Sequence, residues 1–290
     1  FPLVVKPSGG GGGIGMQIVQ SQEELAVAID RASSIAKSAF GDSTLYLEKW
    51  IEKPRHIEFQ VIGDGQGGCV HVFDRECSVQ RRHQKLIEES PTPGIDESSL
   101  LVHAQRAADV CGKLKYGSLG TIETLFVSED RFGFLEMNTR IQVEHGVTEE
   151  VTGLDLVKQQ LNLFMGKKLP RQEEITRSGF AMEARLYAED PETMYPSTGV
   201  LHTFSPPNMH GVRVETGYQE GQEVTPFYDP LLAKVIARGD TREQAIGRLS
   251  VALRAFDVAG INTNEALLQK VLVNEEFLAG NIDTGLLNRL

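Results

Sequence analysis

The chain has 290 residues, 40% hydrophobic and 24% charged, enough apolar material for a full core, which excludes disordered, collagen-like and mini-protein readings. Lys+Arg number 29 against Asp+Glu 40, a net charge of −11, so nucleic acid and anionic membrane surfaces are poor partners. Any anionic ligand therefore needs a local cluster of cations. Cys69, Cys77 and Cys111 are odd in number and lack paired spacing, which argues against a disulfide framework or a cysteine zinc site and fits a reducing compartment. No apolar run approaches the roughly 20 residues of a membrane helix. The start, Phe1-Pro2-Leu3-Val4-Val5-Lys6, is already strand-like and has neither Met nor a charged leader, as expected of a cut through a longer protein.

In chain order, the apolar run Leu3 to Lys6 predicts a strand, Ser8 to Gly15 a glycine loop, and Met16 to Val19 a second strand. Ser21-Gln22-Glu23-Glu24 reads as a capping box, with Ser21 accepting from the Glu24 N–H, ahead of a helix with Leu25, Ala28, Ile29, Ala32, Ile35 and Ala36 at helical spacing. Leu45 to Trp50 returns as a strand. His56 to Ile62 and Cys69 to Phe73 flank a glycine-rich turn. Glu97 to Leu114 is helical, and Thr121 to Val127 pairs with Phe132 to Met137 around Ser128-Glu129-Asp130-Arg131. Leu154 to Met165 predicts a helix closed by Gly166, and the polar run Pro170 to Ser178 an internal linker. Strands at Phe180 to Tyr187, Gly211 to Glu215 and Leu231 to Ala237 then alternate with helices at Arg242 to Phe256 and Glu265 to Val273. The pattern is α+β.

Four segments carry chemistry. Five consecutive glycines, Gly9 to Gly13, followed by Ile14-Gly15, leave backbone N–H groups open to phosphate oxygens, and Lys6 adds a charge. Neither a Walker loop nor a dinucleotide fingerprint fits, and a flexible surface loop is the plain alternative. In the hairpin, a four-residue turn sets Val127 against Phe132 and therefore Glu123 against Glu136. Opposed like charges destabilise a sheet unless a cation lies between them. Asn138, two residues on, shares their face, and two carboxylates with an amide oxygen form a hard donor set suited to Mg²⁺. A register shifted by one would instead send the two acids to solvent separately. Continued alternation would align Asn138, Arg140, Gln142 and Glu144, delivering metal ligand, cation and candidate base from one strand exit; the bland reading is a solvated edge. Gln80-Arg81-Arg82-His83-Gln84-Lys85 concentrates positive charge in an acidic chain, as an oxyanion site or as ordinary surface.

Taken together these motifs resemble the biotin carboxylase members of the ATP-grasp superfamily. The resemblance rests on Val5-Lys6-Pro7-Ser8 with Gly9 to Gly13, Glu48-Lys49, Pro54-Arg55-His56-Ile57-Glu58, Ser78 to Lys85, Gly120 to Glu123, Glu136 to His145, Glu183-Ala184-Arg185, Ala188 to Pro191 and Tyr228-Asp229-Pro230. It covers essentially the whole chain. It implies an ATP-grasp fold divided into a lid at 1–50, a catalytic core at 51–170 and a C-terminal subdomain at 171–290. The implied activity is ATP- and bicarbonate-dependent carboxylation of biotin through carboxyphosphate.

On that resemblance, Lys6, Gly12 and Gly13 would meet the ATP phosphates, and Met16, Glu48, Lys49, Ile51, His56, Gln80, His83 and Leu125 would form the rest of the nucleotide site. Glu123, Glu136 and Asn138 would hold Mg²⁺ or Mn²⁺. Glu144 would deprotonate bicarbonate, while Arg140, Lys85 and Arg213 would hold bicarbonate and the charge developing on biotin. The partners implied are a biotinylated carrier domain and a transferase, with a homo-oligomer open and a cytoplasmic or mitochondrial-matrix setting. Gly146 stands where the family usually has Pro, and Ile14 where many members have a basic residue. The family's N-terminal layer and carrier domain are not in the chain. A carbamoyl-phosphate-type ligase and a non-catalytic nucleotide-binding remnant are the competing expectations.

Overall fold

The computed structural model describes every residue except 10–12, 83 and 130, so the Gly12 and His83 assignments lie outside the described residues. The chain forms two compact units, residues 1–54 with 81–84, and residues 55–80 with 85–290.

In the first unit, β1 (Leu3–Pro7) is the middle strand between β2 (Gln17–Val19) and β3 (Leu45–Lys49), both antiparallel to it. Helix α1 (Gln22–Phe40) covers this sheet, with Ala32 joining Val5 and Val19 in a small core. Ser21 is its N-cap, but the hydroxyl accepts no capping bond. The box is not formed: Glu24 instead accepts from the N–H of Gln20, one residue before the cap, at 2.9 Å.

The second unit is built on an eight-stranded sheet. Its strands in chain order are β4 (Arg55–Gly63), β5 (Cys69–Arg81), β6 (Gln84–Ser90), β7 (Leu119–Ser128), β8 (Arg131–Asn138), β9 (Phe180–Tyr187), β12 (Val212–Thr216) and β14 (Leu231–Gly239). They lie in the order β12-β14-β9-β6-β5-β4-β7-β8. The short strands β10 (Gly199–Val200) and β13 (Glu223–Val224) pair apart from it, as do β11 (Thr203–Ser205) and β15 (Asp257–Ala259). The helices are α2 (Glu97–Lys113), α3 (His145–Thr152), α4 (Leu156–Phe164), α5 (Arg242–Arg254), α6 (Glu265–Leu272) and α7 (Glu275–Leu278). This is the α+β class expected.

The largest core lies where α5 and α6 pack near β9 and β14. Ala245, Ile246, Leu249, Ala252 and Leu253 repeat at helical spacing and are all buried there. Thr241 caps α5, accepting from the Gln244 N–H. A second core sits beneath α2, whose Leu100, Ala104, Ala107 and Cys111 meet Ile57, Phe59 and Val61 of β4.

Three expectations are corrected. β5 does not end at Phe73 but continues through Asp74, Arg75 and Glu76, all buried, and β6 follows it. Phe73 has φ 63 and the β4–β5 register shifts between Phe59 and Val61, so the alternation changes phase in the middle of the strand. Residues 170–178 are no loose linker: Gln172 exchanges hydrogen bonds with the His71 backbone at 2.9 and 3.1 Å, and Arg177 pairs with Asp74 at 2.6 Å. Strand alternation also stops at Asn138, and Glu144 becomes the N-cap of α3.

Gly63 shows how tightly the β4 end is built. A Cβ there would lie 2.1 Å from the Tyr116 carbonyl oxygen, a backbone atom that also accepts from Gly65. Gly63→Ala is expected to cost roughly 2 kcal/mol by displacing this loop, read as a lower denaturant midpoint with an unchanged slope.

Candidate functional site

Register assembles the charged group in the second unit. Across β5, β4, β7 and β8, Arg75 pairs with Glu58, Glu58 with Glu123, and Glu123 with Glu136, forming a row of three acids headed by one cation. Val127 does not face Phe132 as expected, since Phe126 does. Irregularities at Leu135 and Val127 shift the hairpin twice, and the Glu123–Glu136 pairing survives because the two shifts cancel. Three adjacent acids on one face demand compensation.

Lys85 supplies much of it. Its ammonium meets Glu144 Oε1 at 2.6 Å, Glu123 Oε1 at 3.3 Å and Glu58 in a short contact, so each of its three N–H groups has a carboxylate. Burial opposes its charge, but Glu58 and Glu144 together hold the amine protonated well above the ordinary lysine range. The fully buried Arg75 donates to Glu58, Gln60, Thr121, Gln142 and Thr148. His56 Nε2 lies 3.0 Å from Glu123 Oε2, while Gln80 Nε2 meets His56 Nδ1 at 3.1 Å. Burial pushes the Glu123 carboxyl up, yet the His56 ring and the Lys85 charge bring it down to about 2.

The three residues expected to hold a metal converge. Asn138 Nδ2 donates to Glu123 Oε1 at 2.8 Å and to Glu136 Oε1 at 3.2 Å, so two carboxylates and an amide gather in one hydrogen-bonding shell. The two carboxylates are hard oxygen donors that fit a divalent cation, while the Asn138 amide turns its nitrogen rather than its oxygen toward them. Arg140 is exposed beside it, its Nη2 donating to Asn138 Oδ1 at 3.1 Å.

Glu144, only 2% exposed, reaches the same group by a different route from the one alternation suggested. The chain leaves β8, and Gln142 turns inward to donate to Glu123 at 2.6 Å. Glu144 at the head of α3 then receives Lys85 on one oxygen and Arg185 Nη2, at 2.9 Å, on the other. Arg185 itself is held by Glu88, Nε to Oε1 at 2.6 Å.

Not every candidate joins this group. Arg213 pairs with Glu149 at 2.8 Å, Glu150 at 3.6 Å and Glu215, rather than with Glu144. Leu125 is half-buried on β7, opposite His56. The basic run 80–85 is divided: Gln80 and Lys85 belong to the second unit and Arg81 to Gln84 to the first. Within the first unit, buried Lys6 donates to Glu48 at 3.0 Å, Gly13 takes φ 78, Met16 and Ile51 are half-buried, and Lys49 is exposed.

Glu58, Arg75, Glu88 and Arg185 escaped the residue-level reading. Their signal was present: His56, Glu58 and Gln60 alternate with Ile57, Phe59 and Val61, and Glu183 and Arg185 alternate inside an apolar strand. A polar face that alternates with a buried one can be interior on both sides of a central strand.

The geometry accords with the comparisons. Residues 1–172 match the carbamoyl-phosphate synthase L chain, ATP binding domain, and residues 183–289 the biotin carboxylase C-terminal domain. A biotin carboxylase of Halalkalibacterium halodurans is 48% identical over 98% of this chain and 63% of its own length. Biotin carboxylase 2 of Bacillus subtilis is 47% identical over 100% of this chain and 65% of its own length. A biotin carboxylase–beta-gamma-ATP complex from Campylobacter jejuni superposes with TM-score 0.97 at 40% identity, covering 100% of this chain and 65% of that one. The biotin carboxylase domain dimer of Hydrogenobacter thermophilus 2-oxoglutarate carboxylase, in complex with MgADP, ADP and bicarbonate, does so with TM-score 0.95 at 39% identity, covering 100% and 64%. The chain thus spans less than two thirds of these relatives. It belongs to the biotin carboxylase family, an ATP-grasp ATP-binding domain followed by the biotin carboxylase C-terminal domain.

Proposed function

We propose that the protein carboxylates biotin on a carrier, using ATP and bicarbonate, through carboxyphosphate. The observation that carries this reading is Glu144 held between Lys85 and Arg185, in the same charged group as Glu123, Glu136 and Asn138. It gains support from the relatives named biotin carboxylase and from the neighbour bound to MgADP and bicarbonate.

In this reading Glu123, Glu136 and Asn138 would hold Mg²⁺ or Mn²⁺, which supplies charge neutralisation at the transferring phosphate. Arg140 offers donors to bicarbonate, Lys85, its three N–H groups engaged by carboxylates, adds its charge, and Glu144, with lone pairs to spare on both oxygens, takes the bicarbonate proton. The bicarbonate oxygen attacks the γ-phosphorus of ATP, giving carboxyphosphate and ADP. Carboxyphosphate then breaks its carbon–oxygen bond to give CO₂ and phosphate, the phosphate takes the proton from the biotin nitrogen, and that nitrogen forms its bond to CO₂. Arg213 is retained as an anion-holding candidate, and Lys6, Gly12, Gly13, Met16, Glu48, Lys49, Ile51, His56, Gln80, His83 and Leu125 as nucleotide contacts. We assign residues 1–50 to a lid, 51–170 to the catalytic core and 171–290 to the C-terminal subdomain. A biotinylated carrier, a transferase and a second copy of the chain are the proposed partners, and the cytoplasm or mitochondrial matrix the proposed setting. Among the described residues, no helix is long and apolar enough to cross a membrane.

The test is ADP release that requires both bicarbonate and biotin; release indifferent to biotin would point to a different acylphosphate-forming ligase. Glu136→Ala should weaken MgATP binding at least tenfold, about 1.4 kcal/mol, by titration calorimetry. Unchanged affinity removes Glu136 from the metal site.

A further inference from the structure

Antiparallel pairing of β6 with β9 sets Glu88 directly opposite Glu183, and both side chains are wholly buried. Two carboxylates so placed repel at short range in a low dielectric, where an unpaired ion is strongly unfavourable. Arg185 neutralises only one of them, bonding Glu88 Oε1. Glu88 Oε2 and both oxygens of Glu183 receive no hydrogen bond from any described residue. Among the described residues, the charged and titratable groups around the pair include Arg185, Lys234, Lys85, Glu144, Cys77 and Tyr187, and Lys234 is already committed to the Val143 carbonyl and Glu215. Packing closes over Glu183 from α3: a Cβ on Gly146 would lie 3.3 Å from Glu183 Oε2 and 2.4 Å from Ile236 Cδ1.

We propose that Glu183 is a neutral carboxylic acid which donates its proton to the free oxygen of Glu88, and is thereby a positioning residue for Glu144. The proton satisfies one oxygen on each side chain and leaves Glu88 a full carboxylate toward Arg185. Arg185 then holds Glu144 in place. Burial and the neighbouring Glu88 charge push Glu183 well above the ordinary carboxylate range, whereas burial pushes Glu88 only up to about 7 against the pull of Arg185, so Glu183 is the member of the pair that keeps its proton. The positioning step rests on the proposed role of Glu144; the proton itself does not.

Infrared spectroscopy of the purified protein at neutral pH should show a protonated-carboxyl C=O band that shifts in D₂O and disappears in Glu183→Gln. Absence of the band, or its survival in that variant, overturns the proposal. Gln keeps a donor at the same place but cannot ionise. Its kcat at neutral pH should therefore stay within about twofold of wild type, while the loss of kcat at alkaline pH, where Glu183 ionises beside Glu88, should vanish. Glu183→Ala removes the donor and should lower kcat about tenfold with KM for MgATP unchanged. An unaltered alkaline limb in Glu183→Gln, or an unaltered kcat in Glu183→Ala, refutes the positioning role. If Glu183→Ala does not fold, the band and the Glu183→Gln profile still decide. A wild-type protein that shows the band yet no bicarbonate-dependent ADP release would instead refute the proposed reaction.

Discussion

Glu144→Gln is expected to lower bicarbonate-dependent ADP release by roughly 10²–10⁴-fold, the usual range for removing a general base, while MgATP affinity stays within about twofold. The separation follows from where Glu144 sits. It bonds none of Glu123, Glu136 or Asn138 directly, and its two oxygens face Lys85 and Arg185. An amide of the same shape keeps one acceptor but turns an N–H₂ toward the other cation, so one of the two loses its partner. A modest stability loss of about 1–3 kcal/mol should accompany the kinetic effect. Glu144→Asp, which keeps the charge on a shorter arm, should lose less turnover than Gln if proton abstraction is the role. Steady-state kinetics with and without bicarbonate, beside calorimetry of MgATP binding, separate the cases. Bicarbonate-stimulated turnover within a few-fold of wild type would remove Glu144 as the base.

How much of this was legible in the sequence depends on what kind of signal each element carries. Helices α1, α2 and α5 and strand β9 announce themselves by local periodicity, and they fold close to where the pattern puts them. The opposed pair Glu123 and Glu136 was also legible, because a hairpin ties register to a short turn. The intermediate pairs were not: residues at Val127 and Leu135 bulge out and restore the register only by cancelling each other. A one-sided bulge would have sent Glu136 to the other face.

β5 and the run after Asn138 were misread for related reasons. Asp74, Arg75 and Glu76 look like a loop because isolated charges disfavour strand interiors. Their acceptability comes from distant partners, Arg177 for Asp74, Glu58 for Arg75 and Arg55 for Glu76, which no local window contains. Likewise the stretch from Thr139 to Glu144 alternates polar and apolar residues, yet the start of α3 at His145 ends any strand before it. Gln142 and Glu144 arrive at the site anyway, because Glu123, Arg75, Lys85 and Arg185 supply their bonding partners. The chemistry was therefore more legible than the backbone that delivers it.

Lys85→Met should be the most destabilising single change in the charged group, costing about 3–5 kcal/mol, the range found when one partner of a buried ion pair is removed. Methionine fills nearly the same volume, so the loss reports charge rather than a cavity. The lysine head is 12% exposed and serves Glu58, Glu123 and Glu144, which are 0%, 8% and 2% exposed at their side chains. Solvent cannot replace the ammonium at such depth. Arg75 is already shared among five side chains, and Arg185 is divided between Glu88 and Glu144. For a unit of this size the melting temperature should fall by on the order of 10 °C. Removing one acid together with the cation, in Lys85→Met/Glu58→Gln, should recover part of the loss, so the double-mutant cycle should show a coupling above about 1 kcal/mol. Additive losses, or a Lys85→Met protein melting with the wild type, would mean that the three carboxylates do not depend on this ammonium.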